Sequence, residues 1–230
     1  MIVFVDNESA KGYESPWGER LMAARVRIKY RLEDLTNQPC LIVRYNKVTG
    51  ALLRHLEVKA VFISGSSTDP DQYDKAEQAG LFAALREEAW PVFGFCGGLQ
   101  TLAESYGVAV ERIGKLAPTE EDPNPNFAPG YQKELGYSPV RITAPHPLLD
   151  GLGDAPIFRH AHSWEVKQIP PQFSLYASTA VTPIQLLIHD HLPIVGTQFH
   201  PEYWTEEHPD GRRLIENFCR WARLLSDRGQ

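Results

Sequence analysis

Gly94-Phe95-Cys96-Gly97-Gly98-Leu99-Gln100 ends an apolar run at a cysteine, surrounds it with glycines and continues at once as a helix-like segment. That spacing fits a nucleophile elbow, a strained strand-to-helix turn that lifts its nucleophile above the carboxyl edge of a sheet. Small neighbours are needed there because the turn passes close to adjacent backbone, and glycine removes the Cβ that would collide. A helix beginning at the cysteine points its positive end at the sulfur, which favours a thiolate and offers free N–H groups for an oxyanion. The backbone N–H of Gly97, directly after the cysteine, is the natural oxyanion donor. On this stretch alone, a buried thiol in a glycine-rich turn is an equal alternative. A phosphate loop is a weaker one, because GxGxxG is absent and no lysine follows the glycines.

A nucleophilic cysteine needs a base, and the base needs an orienting partner. Histidines stand at 55, 146, 160, 162, 189, 191, 200 and 208, and His200 is the one placed for the task. Residues 193–199 read as a strand that carries the imidazole to a sheet edge. Pro201 then turns the chain, and Glu202 can bend back to the other ring nitrogen. A carboxylate there sets the tautomer and stabilises the imidazolium, the third-member role in a triad. His160 and His162 also stand two residues apart, but no carboxylate or cysteine lies at ligand spacing, so no metal is expected. His162 reads instead as a loop-shaping hydrogen-bonding residue. Asp6, Asn7 and Glu8 close the first strand, and either contact a partner or acceptor substrate or cap a turn.

The elements that must position these groups follow from apolar patterning. Residues 1–5, 40–45, 60–64 and 91–95 read as buried strands. Between and after them, 17–35, 71–89 (started by Asp71) and 99–106 (closed by Gly107) read as helices. Alternating strands and helices predict a mainly parallel sheet covered on both faces. Residues 118–130 hold four prolines and a glycine and must be a loop. Strand-like stretches at 137–142, 155–159, 173–178, 184–189 and 193–199 predict an antiparallel or mixed extension. An amphipathic helix over 210–225 closes the chain.

The bulk composition narrows the function class. A chain of 230 residues suits one fairly large domain or two small ones, and we read residues 1–230 as one. A net charge of −6 gives no electrostatic reason for binding nucleic acid or an anionic membrane. Three cysteines without a CxxC pair argue against a disulfide framework and a structural zinc site, leaving Cys40 and Cys219 as core or surface thiols. No signal peptide is visible, and no apolar run approaches the roughly 20 residues needed to span a bilayer. The expectation is a soluble protein of a reducing cytoplasm.

Taken together, "GFCGGLQ" and "GTQFHPE" resemble the class I glutamine amidotransferase domain, whose elbow reads G-x-C-x-G-x-Q and whose base segment reads G-x-Q-F-H-P-E. Both match at every defining position, in the family's order and about 100 residues apart. Weaker likenesses extend over almost the whole chain. "MIVFVDN" resembles the first strand of anthranilate-synthase-type glutaminase subunits, "ELGYSPV" a segment of GMP-synthase-like amidotransferases, and "RRLIENFCRW" the terminal helix. The resemblance implies a flavodoxin-like three-layer α/β sandwich with a mainly parallel central sheet and a small antiparallel extension. It implies hydrolysis of L-glutamine without a cofactor, through a γ-glutamyl thioester on Cys96, with His200 as acid and base and Glu202 holding His200. The oxyanion donors would come from Gly97 and the Gly65–Ser66 loop, and Gln100, Ser163 and Trp164 would grip the amino and carboxylate groups of glutamine. Two departures stand out: Ser66 and Ser67 replace the family's second glycine and proline, and Trp164 replaces a leucine. With no nucleotide-binding loop evident, the ammonia would pass to a separate synthase partner. The alternatives are a self-sufficient γ-glutamyl hydrolase or peptidase and, against the intact triad, a non-catalytic regulatory subunit.

Overall fold

The β-branched run at the amino terminus forms β1 (Ile2–Asp6), buried along its whole length as a strand covered on both faces must be. In this computed structural model, which describes residues 1–225, the chain continues through α1 (Ala10–Glu14), α2 (Gly18–Thr36), β2 (Cys40–Arg44), α3 (Gly50–His55) and β3 (Val61–Ile63). Next come α4 (Lys75–Arg86), β4 (Val92–Phe95), α5 (Gly97–Ser105) and β5 (Val110–Arg112). The second half adds β6 (Glu134–Pro139), β7 (Arg141–Ile142), β8 (Ile157–His162) and β9 (Trp164–Val166), then β10 (Phe173–Ser178), β11 (Leu186–His189), β12 (Ile194–Thr197) and α6 (Asp210–Trp221).

Eight strands pair in the order β2-β1-β3-β4-β12-β11-β10-β7. The first five run parallel, and β11, β10 and β7 continue the sheet antiparallel. Two small antiparallel pairs, β5–β9 and β6–β8, stand beside it. Alternate side chains of the strands point to opposite faces. On one face Ile2, Phe4, Phe62 and Phe93 pack with Ile28 and Leu32 of α2 and Phe218 of α6. On the other, Val3, Val5 and Ile63 pack with Leu53 of α3, Leu81 of α4 and Leu99 of α5. Three layers result, as expected. Phe218 meets Phe62 edge-on at 5.6 Å and Phe93 at 4.9 Å. Fully burying such a side chain contributes roughly 1.5–3 kcal/mol, so α6 is held by its apolar face rather than by its length.

Some boundaries differ from the sequence reading. The helix expected from Asp71 begins at Lys75, because Asp71 lies in a short 3-10 turn and Asp74 accepts the Ala76 N–H as the true cap. The single strand expected over 137–142 divides at Val140 into β6 and β7, which join different sheets. Gly107 does follow its helix with φ +81°, a conformation glycine adopts freely. Residues 118–130 carry no helix or strand. No helix among the described residues is long and apolar enough to cross a membrane. The parallel topology brings the carboxyl ends of β1, β3, β4 and β12 to one edge, where ligands gather in open α/β sheets.

Candidate active site

Cys96 joins β4 to α5 with φ 49° and ψ −104°, a positive φ that is strained for a non-glycine residue. Its N–H donates to Thr197 O at 2.6 Å, fastening the turn to β12. Gly98 makes the turn possible, since a Cβ there would stand 2.4 Å from Ile63 O. The two remaining cysteines have no such setting. Burial, with Glu33 near Cys40 and Glu216 near Cys219, pushes both thiols up to about 12 and leaves them inert core groups.

His200 follows β12 directly, and the 3-10 turn Pro201–Tyr203 swings Glu202 back to it. The His200 Nδ1 to Glu202 Oε1 distance is 2.8 Å, with Glu202 almost wholly buried. Burial opposes a charge on His200, but Glu202 and Cys96 outweigh it by attraction and hydrogen bonding and raise its pKa to about 10. Gly65 lies against both His200 and Cys96. A methyl group on it would lie 2.7 Å from His200 Cε1 and 3.5 Å from Cys96 Cβ, so only glycine fits. Arg31 of α2 donates to the Glu202 carbonyl at 2.7 Å and fixes the turn from outside.

The segment after β3 is held by residues whose function the sequence left open. The Gly65 carbonyl accepts from Arg25 Nη2 and Ser64 Oγ, each at 2.8 Å. A trans peptide points its C=O and the next N–H in opposite directions, so this anchoring turns the Ser66 N–H away from Arg25. Ser66 N also stands close to α5, where a Cβ on Gly97 would lie 3.0 Å from it. Arg25 is itself bound through Nε to Asp6 Oδ1 at 2.8 Å, with both side chains buried. Glu8 accepts from the N–H groups of Ser67 and Thr68 at 2.7 and 3.2 Å. Asn7 Nδ2 donates to Gly97 O at 3.2 Å and Thr101 Oγ1 at 2.9 Å. Asp6 and Glu8 are therefore buried braces of the 64–68 loop, and Asn7 ties its start, through the Ser64 hydroxyl, to α5. Arg25 escaped the sequence reading, yet one signal was present. It falls on the same helical stripe as Leu21, Ile28 and Leu32, where an arginine must have a buried partner.

Ser66, Cys96, Gln100, Ser163 and Trp164 line one cleft, which also takes in Asp69, Phe127 and His162, with a volume of about 50 Å³. Hollows of about 360 and 430 Å³ lie elsewhere and contain none of these residues. Gln100 Nε2 is engaged at 3.2 Å with both Trp164 O and Gln198 Oε1, while Gln198 Nε2 reaches Cys96 Sγ at 3.5 Å. Across the mouth, Trp164 Nε1 donates to Asp69 Oδ1 at 2.8 Å, and Arg112 joins Asp69 Oδ2 to Ser163 Oγ at 2.6 Å each. The Arg112 guanidinium stacks 4.5 Å from the Trp164 ring. Asp69 and Arg112 were not singled out in the sequence, because they stand 43 residues apart and meet only where the loop after β3 faces β5.

His162 shapes its loop as expected, with Nδ1 3.1 Å from Trp164 O. The expectation that no carboxylate reaches the His160–His162 pair is corrected by the pairing of β6 with β8. Glu134 stands opposite His162 in the register, with its Oε2 3.0 Å from His162 Nε2. Sequence spacing could not show a ligand delivered from another strand.

Residues 27–221 match the family model "Glutamine amidotransferase class-I". The chain is 30% identical over 211 residues to the glutamine-hydrolysing GMP synthase of Nitratidesulfovibrio vulgaris, an alignment covering 90% of this chain and 35% of that relative. This chain therefore spans about a third of that protein. It is 30% identical to one subunit of the glutamine-hydrolysing GMP synthase of Pyrococcus furiosus, over 73% of this chain and 78% of that one. Among solved structures, the glutamine amidotransferase of Methylobacillus flagellatus superposes with a TM-score of 0.62 at 17% identity, covering 100% of this chain and 96% of its own, a likeness of fold.

Proposed function

The chain belongs to the glutamine amidotransferase class-I family, and on that premise we propose that it hydrolyses L-glutamine at Cys96 and delivers the ammonia to a separate synthase. The observation that carries this reading is the meeting of the strained Cys96 with His200 beside Gly65, with His200 bonded to buried Glu202. Imidazolium beside the sulfur stabilises the thiolate, the attacking form. The thiolate adds to the side-chain amide carbon, and the oxygen's charge is taken up by the N–H groups of Gly97 and Ser66. His200 gives its proton to the nitrogen as the C–N bond breaks and ammonia leaves. A water then attacks the thioester while His200 takes its proton, the C–S bond breaks, and glutamate departs. Glu202 holds the ring through both steps. Ser163 and Trp164 line the pocket for the amino-acid head of the substrate, while Gln100 braces the Trp164 carbonyl.

The separate synthase is supported by the Pyrococcus relative, which is named as one subunit of its synthase. A glutamine-mimicking diazo ketone such as diazo-oxo-norleucine should label Cys96 stoichiometrically, and Cys96→Ser should abolish both labelling and ammonia release. An unlabelled Cys96 would overturn the reading. Faster turnover of γ-glutamyl dipeptides than of glutamine would replace it with a γ-glutamyl hydrolase.

A further inference from the structure

We propose that Glu134, His160 and His162 bind one divalent transition-metal cation of the zinc class, at a closed site behind the cleft wall. The strand pairing sets Glu134 opposite His162 and Gly136 opposite His160, and the two histidines share a face of β8 because they are two residues apart. Their ligating atoms lie within 4.8 Å of one another, with Glu134 Oε2 3.0 Å from His162 Nε2 and 3.9 Å from His160 Nδ1. All three side chains are at least nine-tenths buried.

The hydrogen bonding around them is incomplete in a way that a cation completes. His162 Nδ1 faces the Trp164 carbonyl, which can only accept, so Nδ1 carries the hydrogen. In the neutral ring, Nε2 then turns a lone pair toward a carboxylate oxygen 3.0 Å away and makes no aligned hydrogen bond. His160 is fully buried with neither ring nitrogen paired, and Gln185 Oε1 beside Glu134 is unpaired as well. Buried polar atoms are seldom left so, and here His162 Nε2, His160 Nδ1 and Gln185 Oε1 all belong to side chains grouped around the Glu134 carboxylate. A half-turn of the Gln185 amide would put its oxygen where Nε2 now stands, 2.6 Å from Glu134 Oε2, as a fourth ligand. Two imidazoles with oxygen donors suit zinc and its neighbours, whereas calcium and magnesium favour oxygen alone. A metal-bound histidine typically donates its other N–H to a carbonyl, as His162 does. Since the Trp164 carbonyl also accepts from Gln100, the ion would stiffen the substrate wall rather than react.

The test uses full-length Cys96→Ser protein, so that the active-site thiolate cannot bind metal. After chelation and dialysis, one equivalent of Zn²⁺ should be retained on metal analysis. Co²⁺ should give tetrahedral d–d bands, and Tm should rise by roughly 5–10 °C at a hundredfold excess of zinc over Kd. His160→Phe, which keeps a ring beside Phe199, and Glu134→Gln should each lose the bands and the Tm response. If either variant does not fold, the parent protein's metal content, spectrum and Tm decide alone. Background zinc with an unmoved Tm would overturn the proposal. Cobalt bands that persist in both variants, or that carry sulfur-to-cobalt charge transfer, would overturn it equally.

Discussion

Replacing Glu202 with glutamine keeps the shape of the triad and removes the charge that holds a proton on His200. Burial alone would strip that proton, and the carboxylate with Cys96 reverses the balance, to a pKa of about 10. On the proposed mechanism ammonia leaves only when His200 is protonated, so the wild-type rate should persist through neutral pH and fall as pH rises through about 10. Glu202→Gln should move that basic limb to lower pH and cut kcat by up to about 10⁴, the loss seen on neutralising a triad carboxylate. A kcat/KM profile against pH measures both, and an unmoved limb would remove Glu202 from the triad. Cys96, His200 and Glu202 were legible in the sequence because each lies in a short local pattern. Arg25 was not, since its meaning lies in Gly65, 40 residues away, and in Asp6 on another element.

At the scale of elements, α2 works as a strut between the sheet and the loop after β3, the proposed oxyanion loop. Its Arg25 spans Asp6 and Gly65 with two arms of one guanidinium, a reach that a lysine's single ammonium cannot reproduce. Arg25→Lys should therefore free the Gly65–Ser66 peptide and lower kcat about 10- to 100-fold with KM little changed, below the 10²–10³ typical of losing an oxyanion donor outright. Arg25→Met should also lower Tm, because Asp6 would be left buried without its partner, a loss of about 3–5 kcal/mol. The strand-to-helix junction is just as tight. Gly98→Ala would press a methyl group onto Ile63 O and should destabilise the fold by roughly 1–3 kcal/mol, read by chemical denaturation. Long periodic elements such as α2 and α6 were readable for the reason that makes them stable, an apolar stripe. The six residues of α3 and the three each of β5 and β9 are too short to show a period. Their pairing is decided by what lies beside them, so β9, which supplies Trp164, emerged only in three dimensions.

For the molecule as a whole, the edge that carries Cys96 and His200 and the cleft beside it draw on segments far apart in the chain, and a polar latch bridges them. A volume of about 50 Å³ holds a few waters and is too small to enclose glutamine with its amino-acid head. The strand order that forms the edge was legible from alternation, but the latch was not. It joins Asp69 after β3, Arg112 on β5 and Trp164 on β9, three segments that share no sequence pattern. Asp69 accepts from both others, so its loss breaks the latch at one point without touching Cys96, His200 or Glu202. If the isolated chain is slow because this latch is closed, Asp69→Ala should raise its glutaminase kcat/KM about 3- to 10-fold, a gain on the order of 0.7–1.4 kcal/mol in barrier. The same variant should respond less to an added synthase, because the partner's contribution would be to open what the mutation has already opened. Ammonia release with and without the partner measures both effects. An Asp69→Ala chain that is slower alone and still fully stimulated would show that the latch builds the pocket rather than guards it.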